Sequence, residues 1–214
     1  MVDLTSVLRA RPLAVLSAVL LAATTAPAVG VVPAAGLIRS RASAHVIQSQ
    51  PAAGSCRARG QGVFALPDPR CTPGAIDPAV TEADLSTTIC RAGYSASVRP
   101  PESITEPEKR ASLRAYGEHG SLREYEYDHL VPLELGGARN DARNLWPEPG
   151  GSPNVKDTLE NRLHARVCAG AMRLAAAQLA IARDWVAADH RSALTAAGAA
   201  ARRGVGQSQR LRRK

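Results

Sequence analysis

The chain has 214 residues, enough for one ordinary domain with tails and too few for two large ones. Only seven residues are aromatic, and six of them (Tyr94, Tyr116, Tyr125, Tyr127, Trp146, Trp185) fall between positions 94 and 185, so the packed domain is expected there. The net charge of +8 belongs to the tail: six cationic residues lie in the last thirteen, and without them the balance is about +2, which excludes arguing from net charge to a basic domain surface.

From the N-terminus, Arg9 and Arg11 precede an apolar stretch at 12–23, and Ala26-Pro27-Ala28 then offers a small-x-small cleavage site, so the start reads as a secretory signal. Ala42-Ser43-Ala44 is a later candidate for cleavage. An uncleaved membrane anchor is the alternative, because no charge occurs from 12 to 38, although Thr24, Thr25, Pro27, Gly30 and Pro33 break the run. The expected organisation is a signal peptide or anchor at 1–28 and an Ala/Gly/Pro-rich linker with a disulfide-tied lead-in at 29–75. A folded domain follows at 76–188, then a disordered basic tail at 189–214. In an exported chain, Cys56, Cys71, Cys90 and Cys168 favour two disulfides with three possible connectivities. Cys56–Cys71, closing a local loop, with Cys90–Cys168, tying the start of the domain to a late helix, is the preferred pairing. No CxxC pair exists, so a cysteine-ligated zinc site is not expected.

Thr81-Glu82-Ala83-Asp84 looks like a helix start, with its end near Cys90 before Gly93. Thr105-Glu106-Pro107-Glu108 combines a capping box with a first-turn proline and predicts a helix to Tyr116, stopped at Gly117. Residues 122–131 alternate as a strand, broken by Pro132 and Gly136-Gly137. A polar loop then leads to a short second strand at Asn144-Leu145-Trp146. A helix is expected from about 154–155 to Val167, ending at Gly170. A last helix, 171–188, sets Leu174, Ala177, Gln178, Ile181 and Trp185 on one stripe.

The chemistry gathers between Glu124 and Cys168. Phosphodiester hydrolysis needs an activated water and neutralisation of developing charge. A histidine, largely neutral at physiological pH, suits the first task, and a neighbouring carboxylate can hold a hard divalent cation. Asp128-His129 supplies both at a strand end. Neighbours on a regular strand face opposite ways, so both can address one phosphate only if the strand ends or bulges there, as Pro132 suggests.

The run Tyr127-Asp128-His129-Leu130-Val131-Pro132-Leu133-Glu134-Leu135-Gly136-Gly137, followed by Asn140-Asp141 and Asn144-Leu145-Trp146-Pro147, resembles the HNH endonuclease motif of the ββα-metal type. His129 to Asn144 is fifteen residues and Asn144 to Asn154 is ten, which fits the family's spacing within a residue. The segment from Cys71 to Trp185 also resembles secreted actinobacterial-type HNH proteins, through Cys71-Thr72-Pro73-Gly74 and Val98-Arg99-Pro100-Pro101-Glu102. The resemblance implies that His129 is the general base and that Asn144 orients it and braces the loop. It further implies that Asp128 and Asn154 are metal ligands and that Lys156 meets a phosphate. The implied metal is one divalent ion, Mg²⁺ or Mn²⁺ rather than Zn²⁺. The third motif position is not histidine, so Asp157, Glu160 or His164 is an alternative to Asn154, whose bland role is a helix N-cap. Glu134 reads as a solvated or hydrogen-bonded loop residue.

These readings add up to an α+β fold: a small ββα-metal motif among flanking helices. The function expected is that of a secreted, monomeric endonuclease of low sequence specificity, cutting DNA and conceivably RNA. Without an uncleaved N-terminus it has no membrane partner. The alternative is a degenerate HNH scaffold that binds nucleic acid or sits at the cell surface without cutting.

Overall fold

The computed structural model describes residues 36–211, with side chains through 193. The signal or anchor reading lies outside the described residues. Among those described, no helix is long and apolar enough to cross a membrane.

Among the described residues the architecture is mixed α+β: four α-helices and two small two-stranded sheets. In chain order these are β1 (Ile38–Arg39), β2 (Ala75–Ile76), α1 (Tyr94–Val98), α2 (Glu102–Tyr116), β3 (Tyr125–His129), β4 (Leu145–Pro149), α3 (Lys156–Cys168) and α4 (Leu174–Leu211). β1 pairs parallel with β2, and β3 pairs antiparallel with β4 in the register Tyr125↔Pro149 to His129↔Leu145. Flanking bonds from Leu130 N–H to the Asn144 carbonyl (2.7 Å) and from Gly150 N–H to the Glu124 carbonyl (2.8 Å) put the ladder bonds at the even positions of β3. Pro147 and Pro149 therefore fall opposite Tyr127 and Tyr125, where no ladder N–H is needed, and β4 runs farther than Trp146.

The main core lies where α3, α4 and the segment after β3 meet. α3 buries Leu159, Leu163 and Val167 at four-residue intervals; α4 buries Leu174, Ala177, Ile181 and Trp185; the segment after β3 adds Leu130, Val131 and Leu135. The stripe expected on the last helix is thus the buried one, Gln178 included, whose amide donates to the Leu135 carbonyl at 2.8 Å. Trp146 packs with Tyr116, Ala115 and Cys56 in a second cluster.

Three elements depart from expectation. Residues 81–92 form turns instead of a helix, because the Thr81, Thr87 and Thr88 hydroxyls bond to the side chain or carbonyl of Asp84 and compete with helical pairing. α2 begins at Glu102, three residues before the capping box, with Ile104 and Thr105 N–H both bonded to the Pro101 carbonyl. Its other end is as expected. Gly117 is left-handed (φ 70°), and Glu118 N–H reaches back to the Leu113 carbonyl at 2.9 Å, the pattern of a Schellman motif. α4 is interrupted at Asp184 (φ −166°, ψ 90°), whose carboxylate caps Ala187 N–H and starts a new helical segment that continues to Leu211, through much of the span expected to be disordered.

The disulfides are Cys56–Cys71 and Cys90–Cys168, the preferred pairing. They point to an oxidising, extracellular-type environment.

Candidate active site

β3 ends at His129, and this ending answers the period-two objection. Glu126 and Asp128 share one face of the strand. His129, the last strand residue, turns its ring so that Nε2 lies 2.8 Å from the Arg139 carbonyl. All three line one concavity of about 90 Å³, together with Tyr127, Glu134, Asp157, Glu160 and Arg99. A carbonyl can only accept, so Nε2 carries the proton in the neutral ring and Nδ1 is the basic nitrogen. Burial pushes the His129 pKa down to about 4, against the opposing pull of the Arg139 carbonyl and of Asp128, so the ring is neutral at physiological pH.

The loop between the strands is built to present that carbonyl. Asn144, fully buried, donates its amide to the carbonyls of Val131 (2.9 Å) and Ala138 (3.1 Å) and accepts from the N–H groups of Val131 (3.0 Å) and Ala75 (3.3 Å). It ties the two ends of the loop without touching the imidazole, so it is a positioning residue. Gly136-Gly137 serve the same closure. Gly136 is left-handed (φ 71°), and a Cβ on Gly137 would stand 1.7 Å from the Val131 carbonyl oxygen, so no other residue fits there.

Two site residues differ from the sequence reading. Asn154 does not offer its oxygen to a metal beside Asp128. That oxygen caps α3, accepting from Lys156 N–H (2.8 Å) and Asp157 N–H (3.3 Å), while Asp157 accepts from Asn154 N–H (2.9 Å). The reciprocal pair is a capping box, and the Asn154 amide nitrogen is turned to Glu126 at 3.0 Å. Lys156 does not face a phosphate either. Its side chain is fully buried, and its ammonium donates to Asp128 Oδ2, to the His129 carbonyl and to Glu160 Oε1, with Glu148 4.0 Å away. Burial works against its charge, but Asp128, Glu160 and Glu148 outweigh that and keep it protonated well above the ordinary lysine range.

The structure also brings in residues that the motif does not name. Glu126 and Glu148 stand opposite each other across β3 and β4. Burial, reinforced by Asp128, pushes Glu148 up to about 10, so it is neutral at pH 7. Glu134 lies close to His164, whose Nδ1 is 3.9 Å from one of its oxygens and whose Nε2 bonds the Ile89 carbonyl at 2.8 Å. The other Glu134 oxygen is buried without a partner. Arg99, exposed at the rim, is the cation best placed for a ligand anion.

Five carboxylates thus line a small concavity whose cations are Arg99 and the buried Lys156. An oxygen-only donor set with one orphaned acceptor fits a hard divalent ion. Cys90, His164 and Cys168 bring ligand atoms within 4.8 Å of one another, but both sulfurs are spent in the disulfide and neither is a thiolate. Comparison of the chain with protein-family models, with curated proteins and with solved structures returned no match.

Proposed function

We propose that the chain is an exported, divalent-ion-dependent phosphodiesterase acting on DNA, an endonuclease of the HNH kind. What supports this reading most is the neutral imidazole of His129, tied through Nε2 to a loop carbonyl, beside Asp128 in an acid-lined concavity.

In this reading Asp128, with Glu134, Asp157 and Glu160 around it, would hold a divalent cation, Mg²⁺ or Mn²⁺, which would supply charge neutralisation to the phosphate and the departing oxygen. Asn154 is no longer among its ligands. His129 Nδ1 takes the proton of the attacking water, whose oxygen forms the new bond to phosphorus as the bond to O3′ breaks, and the departing O3′ takes a proton from a second water. The products are a 5′-phosphate and a 3′-hydroxyl. Arg99 replaces Lys156 as the side chain that meets a non-bridging phosphate oxygen. Asn144 and Gly137 keep the Arg139 carbonyl in place, which fixes the tautomer of the base.

The acidity of the concavity carries a requirement. Without a bound cation, several carboxylates would face an incoming phosphate and repel it, so activity should need added metal absolutely. Supercoiled plasmid incubated with the purified chain should be nicked and linearised in millimolar Mg²⁺ or Mn²⁺, leaving 5′-phosphate ends, and should survive intact in EDTA. Cleavage that persists after exhaustive chelation would overturn the metal requirement. Binding without cleavage in any divalent ion would point to a scaffold instead of an enzyme.

A further inference from the structure

Hydrolysis as described leaves Lys156 without a chemical task, yet its side chain is fully buried at the site. It stands at the first position of α3, and a cation at a helix N-terminus opposes the helix dipole. Its ammonium has three hydrogens and three acceptors: Asp128 Oδ2, the His129 carbonyl oxygen at 3.0 Å and Glu160 Oε1. Glu160 lies four residues on along the same helical face.

The fourth neighbour points most clearly to a cage. Glu148 is 1 % exposed, its carboxyl stands beside that of Asp128, and one of its oxygens lies 4.0 Å from the ammonium. Three acid side chains and a main-chain carbonyl around one buried centre supply only oxygen donors, as a hard divalent ion requires. Here the protein fills that centre with its own side chain.

We propose that Lys156 is a resident cation: its ammonium occupies an oxygen cage formed by Asp128, Glu148, Glu160 and the His129 carbonyl that would otherwise take a divalent metal ion. One oxygen of Asp128 is thereby pinned on the buried side, and the other remains for the concavity. The exchangeable ion of the proposed nuclease is confined to the open side of Asp128. The inference touches the nuclease reading only there, since the cage is defined by Lys156 and its partners whether or not the chain cuts DNA. Lys156 is a positioning residue in this account, not a catalytic one.

The test compares the full-length wild-type chain with Lys156→Gln and Lys156→Arg, using Mn²⁺ alone as the probe. Calorimetric titration should show Lys156→Gln binding one Mn²⁺ per chain more than the wild type, whatever the wild-type number is. Its unfolding temperature, depressed in EDTA, should rise by about 5–10 °C when Mn²⁺ reaches about 100 times its Kd. Lys156→Arg keeps the charge and should show no extra ion. If Lys156→Gln does not fold without metal, the Lys156→Gln/Glu160→Gln pair, which removes one charge of each sign, should fold in EDTA and lack the added site. An unchanged Mn²⁺ stoichiometry in folded Lys156→Gln overturns the proposal, as does a Lys156→Gln chain that no divalent ion stabilises. A wild type that binds no Mn²⁺, beside a Lys156→Gln chain that binds one, would support the cage and refute the metal-dependent nuclease.

Discussion

Two buried carboxylates in this molecule are compensated in opposite ways. Glu108 on α2 is 1 % exposed and meets only neutral donors, the Gln48 N–H at 2.6 Å and the Asn140 amide at 3.0 Å. Asn140 also donates to the Val46 carbonyl at 2.9 Å, so the cluster straps the stretch around residues 46–48 to the helix and the loop. Asp128 is nearly as buried but is matched by a full charge, Lys156, and its surroundings open onto a concavity. At Glu108 desolvation dominates, and the pKa rises. A buried acid with neutral partners serves architecture and prefers its proton. A buried acid paired with a fixed ammonium is matched charge for charge while its surroundings stay open to a ligand.

The contrast breaks most visibly at Asp128. Asp128→Ala leaves the Lys156 ammonium buried with one strong partner fewer, and the cost should be about 3–5 kcal/mol, read as a lower urea midpoint. A loss below about 1 kcal/mol would mean that the pair is not buried and coupled as described. Asn144→Ala comes next. It removes a fully buried amide that satisfies four backbone groups, and about 2–4 kcal/mol should be lost, with plasmid cleavage slowed because the Arg139 carbonyl is no longer held. Unchanged cleavage in the folded variant would show that the loop does not position the base.

The smallest effect is expected at Glu108 and concerns pH. Its folded-state pKa is raised, so the folded chain holds this proton more tightly than the unfolded one. Its contribution is complete below the ordinary carboxylate range and is lost as pH rises through the raised value. Glu108→Gln should flatten that slope in denaturant titrations between pH 4 and pH 8. It also replaces Glu108 Oε2, a buried acceptor without a donor, with an amide nitrogen. A steeper slope in the variant would contradict the assignment.

These residues also show what can be read from a sequence. Asp128-His129, Asn144 and Gly136-Gly137 were legible because their roles are local: a strand end, a loop brace, a turn without room for a side chain. The helix stripe from Leu174 to Trp185 was legible from its period. Asn154 was misread because an amide at a helix start serves equally as ligand or cap, and only the partner Asp157 decides. Lys156 was misread because its long side chain can reach outward or fold inward, which spacing does not specify. Glu126 sits two residues before Asp128 and was available from strand period alone. Glu148 required the register of β4 against β3, which no local pattern carries. The turns at 81–92 defeated a plausible helix start because three threonines satisfy Asp84 instead.

The central claim is that His129 acts as the base, and plasmid cleavage by His129→Ala in saturating Mn²⁺ tests it most directly, with circular dichroism matched to the wild type. The rate should fall by about 10²–10⁴-fold while Mn²⁺ binding persists. A folded His129→Ala chain that cleaves as fast as the wild type would contradict the account.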